Sequence, residues 1–368
     1  VPHYLPAQVP LLVAWKISAE AIWVSCTPRR GLYAEADGDA RRNAANERVR
    51  SLDRSKEMRT MNEVRQRMWV FGLLAGWILG VGHIGTARGA EDKIRVLIID
   101  GQNNHNWRVM TPPMKADLEH SGRFTVDVAT SPGPKSAPAA WDAFRPDFSR
   151  YDVVLSNYNG EPWPAAVQKA LEEFVAKGGG LAIIHAANNA FESWPAYNEM
   201  IGLGWRNPGF GDRLTIDESG QVVRTPKGQG PGAGHGPPHA YKIAVRNADH
   251  PITRGMRAEW MHAKDELYHG QRGPAEHMDI LATAYSDKAK GGTGTNEPMV
   301  WVIPYGKGRV FTTVMGHAMG DDITAIRCLG FRDVMLRGTE WAATGKVTIP
   351  ISPVFPTAKE ARIAVPKK

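Results

Sequence analysis

Residues from about 91 to 348 are expected to form one α/β domain built on a mostly parallel sheet with helices on both faces. Three observations carry this expectation. Apolar runs such as 93–100 (KIRVLIID) and 181–185 (LAIIH) have the length and continuity of strands buried on both faces. Amphipathic helical patterns separate successive runs in the first half of the domain, and that alternation favours parallel pairing. The runs end in polar loops, where ligands bind in open α/β sheets.

Taken in order, the strand 93–100 ends in Asp100-Gly101, and the loop 101–108 carries His105. Thr111 with Pro112 and Pro113 reads as the cap and first turn of a helix reaching about His120. A second strand is expected at 124–129. A third, at 151–156, ends in the loop Asn157-Tyr158-Asn159-Gly160. Residues 164–177 put Ala166, Ala170, Leu171 and Phe174 on one helical face, and Gly178-Gly179-Gly180 stops that helix. The fourth strand ends at His185. In the less regular second half, strands are expected at 213–223, 241–245, 278–285, 298–303 and 308–315, then a closing helix at 331–343. The Gly/Pro-rich stretch 225–239 reads as a mobile loop over the pocket, and 349–368 as a tail.

The chain of 368 residues has a formal charge of +7, unevenly spread. Residues 1–90 hold 13 Lys/Arg against 8 Asp/Glu, and the remainder holds 32 against 30. The domain lacks the basic footprint of a nucleic-acid binder, and no nucleic-acid partner is expected. Its single cysteine, Cys328, excludes a disulfide within the domain and a cysteine-based metal site. Upstream, a positive segment 61–67, an apolar run 69–82 and small residues at 86–90 have the layout of a secretory signal peptide over about 61–89. That run is short against the ~20 residues of a membrane span; an uncleaved anchor is the alternative. The expected product is periplasmic or secreted, with no stable membrane span after cleavage. Residues 1–60 are read as a non-native or disordered leader.

The turn after the fourth strand is where a strand–elbow–helix would present a nucleophilic Ser or Cys. This chain has His185 there, and Gly-x-Ser-x-Gly is absent, so nucleophilic amidotransfer is disfavoured. His105, His185 and His317 each follow a buried strand. One histidine at a strand end is more often structural; three converging ones tip the reading towards a site. In Lys264-Asp265-Glu266-Leu267-Tyr268 the apolar neighbours Trp260, Leu267 and Tyr268 lead us to expect one carboxylate turned inward, and Glu266 is the candidate. A histidine beside a buried carboxylate suits acid–base work, since each shifts the other's pKa. His185 and Glu266 are therefore the candidate catalytic pair. His105, His185 and His317 are candidate ligands of a divalent metal such as zinc, with Glu266 a further donor, although no two have local chelate spacing. Trp107, Tyr158 and Tyr268 are candidate substrate contacts, as are His235 and His239. No phosphate- or dinucleotide-binding fingerprint is present.

The succession Asn104-His105-Asn106-Trp107, Gly178-Gly179-Gly180-Leu181-Ala182-Ile183-Ile184-His185, Asp249-His250-Pro251-Ile252, Lys264-Asp265-Glu266-Leu267-Tyr268, Tyr305-Gly306-Lys307-Gly308 and Gly316-His317 resembles the trehalose-utilisation (ThuA-like) family. The resemblance runs from about residue 94 to 343. It implies a flavodoxin-like fold related to class I glutamine amidotransferases, without the amidotransfer cysteine. It also implies a role in disaccharide or 3-keto-sugar catabolism, with a small-molecule carbohydrate as partner. Asn103 and Asn104 depart from the family, many of whose members carry a second histidine in this loop. On this reading the exported domain does acid–base chemistry on a sugar, as hydrolase, lyase or isomerase, with or without a metal. Trp107 and Tyr268 would stack on a sugar face. The alternative is a non-catalytic carbohydrate-binding or accessory domain that keeps the pocket.

Overall fold

The computed structural model describes residues 92–318 and 320–364; the leader and signal expected at 1–90 lie outside them. In the first half, strand and helix alternate as the apolar pattern predicts. β1 (Ile94–Asp100) leads to α1 (Trp107–His120), β2 (Phe124–Thr130), the short α2 (Pro138–Ala143), β3 (Val153–Ser156), α3 (Ala165–Ala176) and β4 (Gly180–Ile184). β1 pairs in parallel with β2 and β3, and β3 with β4. Every residue of β3 and β4 is buried, which is why neither shows polar alternation. α1 begins at Trp107 rather than at Thr111. The Asn106 carbonyl already accepts from the N–H groups of Val109 and Met110, so the first turn is complete before the prolines.

The second half departs from a parallel sheet. α4 (Pro195–Ile201) precedes β5 (Arg213–Ile216), β6 (Val222–Thr225), β7 (His239–Val245), β8 (Glu259–Asp265), β9 (Asp279–Tyr285), β10 (Asn296–Tyr305) and β11 (Gly308–Thr313). The domain then adds α5 (Thr324–Arg327) and α6 (Leu329–Thr344). Strand order is β2-β1-β3-β4-β11-β10-β9-β7-β8, with β5 and β6 branching from β10. β11 runs parallel to β4 but antiparallel to β10, and β9, β7 and β8 continue antiparallel. The sheet is therefore mixed, not mostly parallel. Connection length is the cause. Only Gly306-Lys307 separates β10 from β11, with Gly306 at φ +57°, and so short a link makes a hairpin. The single strand expected at 213–223 is likewise a hairpin, β5 with β6.

α6 lies close on the sheet: a Cβ at Gly338 would stand 2.4 Å from the Phe311 ring. After α6 the chain runs back over the domain, where Phe355 is buried against Trp260 and Ile363 bridges to Cys328. No helix among the described residues is long and apolar enough to cross a membrane. The neighbours β1, β3, β4 and β11 point the same way, so the segments after them gather at one end of the sheet.

Candidate functional site

His185 follows β4 directly, with its backbone in the left-handed region (φ +46°) that non-glycine residues seldom adopt. Its imidazole is fully buried. Nδ1 donates to the Val314 carbonyl at 2.7 Å, which in the neutral ring leaves the lone pair on Nε2. That Nε2 is 3.6 Å from Glu266 Oε2 and has no hydrogen-bond partner.

Glu266 is the hub. Its Oε2 lies 3.3 Å from His317 Nδ1 and 3.9 Å from His105 Nε2, while Oε1 lies 3.3 Å from His235 Nε2. The His105 ring stands 4.7 Å from that of His185 and 4.5 Å from that of His317. One donor atom from each of His105, His185, Glu266 and His317 falls within 4.8 Å of all the others. The loop after β1, the elbow after β4, the turn after β11 and the end of β8 thus converge.

Asp265 sets this geometry, and sequence reasoning passed over it because it shares its apolar neighbours with the adjacent Glu266. Fully buried at the end of β8, it accepts the backbone N–H groups of Gly316 at 2.8 Å and His317 at 3.1 Å. It also accepts from the Glu266 N–H at 2.7 Å, and its Oδ2 meets His262 Nε2 at 2.7 Å. One carboxylate therefore fixes both the turn bearing His317 and the residue bearing the hub. β8 is last in pairing order, so the coil of the sheet is what brings Asp265 to the end of β11.

Burial, with His185 and His317 beside it, pushes the His105 imidazole down to about 3, so it is neutral and keeps a lone pair. Burial works against charge on Glu266, but its contacts with His185 and His317 outweigh that and hold the carboxyl well below its usual range. Burial likewise disfavours charge on His262, yet Cys328 and Asp265 beside it carry it up to about 9. The centre is an ionised carboxylate ringed by three imidazoles, of which that of His105 is neutral.

A metal fits these donors. Bonds of 2.0–2.1 Å on a tetrahedral zinc separate its ligands by roughly 3.3 Å, so the 3.3–3.9 Å spacings about Glu266 are close to that value and the full set, within 4.8 Å, would draw inward on binding. His185 Nε2 and both ring nitrogens of His317 are buried without hydrogen-bond partners. Buried polar atoms are normally satisfied, and one cation would satisfy His185 Nε2 and one of the two His317 nitrogens. A groove of about 550 Å³ lined by Phe148, Phe174 and Lys177 lies beside Gly179, before β4 begins; its lining includes no histidine.

The other residues singled out from the sequence divide. Tyr268 joins the site, but its ring is hemmed by His185 at 4.5 Å, Trp205 at 4.7 Å and His235 at 6.2 Å, leaving no exposed face for a sugar. His235 is the most open member, its side chain 33% exposed. The glycine-rich stretch bearing it is fastened, not loose. The buried Arg272 guanidinium donates to the carbonyls of Pro231 and Gln229, and Gly234 exchanges backbone hydrogen bonds with His269. His239 turns instead to the Pro237 carbonyl and the Tyr241 ring. Tyr158 has no exposed surface: its ring stacks on Phe191 and its hydroxyl donates to the Glu161 carbonyl, so it is a core residue that substrate does not reach. Trp107 opens α1 under the Arg108 guanidinium, 4.3 Å from its ring centroid, a contact separate from the Glu266 cluster. Trp205, half-buried beside His235 and Tyr268, walls the site; Gly204-Trp205 carries no motif that would have found it.

The sequence profile described as ThuA, trehalose utilisation, matches residues 95–342. Among solved structures, a ThuA-like protein from Parabacteroides merdae ATCC 43184 is 43% identical over 74% of this chain and 98% of that one, with a TM-score of 0.71. A ThuA-like protein from Bacteroides uniformis ATCC 8492 is 18% identical over 74% of this chain and 97% of that one, with a TM-score of 0.46. No curated protein matches the chain significantly.

Proposed function

This chain belongs to the ThuA trehalose-utilisation family, and from that premise we propose that it is an exported enzyme of carbohydrate catabolism whose His/Glu site does metal-assisted acid–base chemistry on a keto-sugar. The observation that supports this most is the convergence of His105, His185 and His317 on the single carboxylate of Glu266. A structural cluster would spend its ring nitrogens on hydrogen bonds, and His185 Nε2 makes none. Export is supported by the signal-like run at 61–89.

A ketone acidifies the adjacent C–H, so removal of that proton gives an enolate and opens elimination or isomerisation. A bound divalent ion, zinc or a similar one, supplies Lewis-acid stabilisation of the developing enolate oxygen. His105, His185, His317 and Glu266 Oε2 would hold it. That reassigns His185 from base to ligand, since Nδ1 is committed to Val314 and Nε2 faces the centre. Glu266 Oε1 and His235 Nε2, 3.3 Å apart on the open side, are the pair left to take the proton and pass it to solvent.

The test is to assay the purified domain for bound metal and incubate it with a 3-keto-glucoside in D2O. A stoichiometric divalent ion and exchange of the C2 proton are expected, with both lost in His185→Ala. Full metal occupancy with exchange no faster than in buffer would leave a carbohydrate-binding domain in place of an enzyme.

A further inference from the structure

Resting on the reading above, we propose that the Tyr268 hydroxyl is a catalytic hydrogen-bond donor, aimed at the substrate oxygen that the His105/His185/Glu266/His317 group receives. The sequence suggests a ring that stacks on sugar; the structure rules that use out, because Tyr268 is 1% exposed and its ring is enclosed by His185, Trp205 and His235. What reaches the centre is the hydroxyl. Its oxygen lies 3.5 Å from His105 Nε2, at the limit of a hydrogen bond and too long for a good one. Asn189 contacts the same oxygen from its own side chain. With the His105 lone pair shared with Asn104 Nδ2 or turned to an ion, the acceptors within reach of the phenolic hydrogen are the Asn189 amide oxygen, which has no other partner, and an oxygen held in the site.

The backbone on either side is held firmly. Glu266 N–H is bound by Asp265, Gly270 N–H by the buried Glu297, and His269 by the two-way ladder with Gly234. A donor held this rigidly pre-exists its acceptor, which is the condition under which a hydrogen bond to developing negative charge lowers a barrier. In the step itself the C2–H bond breaks, its proton goes to the Glu266/His235 pair, and its electrons move to the carbonyl oxygen. The Tyr268 O–H bonds to that oxygen and keeps its proton.

The experiment compares wild type with Tyr268→Phe, which keeps the ring and removes only the hydroxyl. On Co2+-loaded protein, the visible spectrum without ligand should be unchanged, while affinity for acetohydroxamate, an oxygen-donor probe, should fall about tenfold. With keto-sugar, kcat for C2 exchange should fall about a hundredfold, as for loss of one oxyanion donor, with KM little changed. Loss of Co2+ from the variant would make Tyr268 a ligand and overturn the proposal, as would unchanged probe affinity and kcat. Failure of the wild type to take up Co2+ would remove the metal reading and this donor together, whereas uptake with an indifferent Tyr268→Phe removes the donor alone.

Discussion

His185 presents Nε2 to Glu266 Oε2 at 3.6 Å while its Nδ1 hydrogen is given to Val314, so with the ring neutral two acceptors face one another in a buried space. Such a pair is relieved by a cation, and the folded site should gain stability from one. At a hundredfold excess over Kd, binding adds about 2.7 kcal/mol, or roughly 5–10 °C in Tm for a domain of this size. EDTA should lower the melting temperature by that amount and zinc should restore it. Identical calorimetric transitions with and without chelator would remove the metal from the account.

Asp265 and His262 form a fully buried pair, and breaking one half of such a pair costs about 3–5 kcal/mol. Asp265→Asn should therefore destabilise the domain by that order and loosen the turn that carries His317. The pair also gives a pH signature. His262 is raised to about 9 in the fold, above the ordinary 6.5. Its contribution is complete below pH 6.5 and is lost as pH rises through 9. Wild-type Tm should fall across this window and the Asn variant should show a smaller fall, because Cys328 beside His262 remains. Parallel curves for the two proteins would show that the pair is not charged.

The first half of the fold is legible because β3 and β4 are buried on both faces and leave unbroken apolar runs; the elbow at His185 follows from them. β8 is not legible, since its uncharged run Trp260-Met261-His262-Ala263 is only four residues long and is bounded by the charged Glu259, Lys264 and Asp265. Its place beside the β11 turn depends on pairings remote in sequence, so Asp265 could not be ranked above Glu266. His105, His185 and His317 were legible because each follows an expected strand, and Glu266 because apolar residues flank its charged run. Tyr158 shares that position and misled for the same reason: a strand end does not say whether a side chain turns to the site or to the core. Trp205 was invisible, being tied to the site only through Tyr268 and His235.

Gly338 in α6 sets two effects against each other. Alanine is favoured over glycine within a helix by about 1 kcal/mol. A Cβ there would meet the Phe311 ring at 2.4 Å, and Phe311 is fully buried in β11 with nowhere to swing. Overpacking of this kind costs about 1–3 kcal/mol, and a contact this short belongs at the upper end. Gly338→Ala should lower stability by about 1–2 kcal/mol, read as an earlier midpoint in urea. A midpoint at or above wild type would mean that α6 shifts off the sheet at little cost.

Trp205 stands at the open side of the site, 5.7 Å from His235 and 4.7 Å from Tyr268 by ring centroids. Since Tyr268 has no free face and Tyr158 is in the core, the proposed carbohydrate reading leaves Trp205 as the aromatic surface beside the Glu266 cluster for the apolar face of a sugar. Aromatic contacts of this kind contribute about 0.5–1.5 kcal/mol beyond the area they bury, and 1.4 kcal/mol is about tenfold in affinity. Trp205→Ala should raise KM roughly tenfold with kcat and metal content unchanged, the mark of an interaction equal in ground and transition states. Trp205→Phe should fall between, because it keeps a smaller ring in the same place. A variant with normal KM but lowered kcat would instead tie Trp205 to the orientation of Tyr268, and unchanged kinetics would place the sugar on another wall.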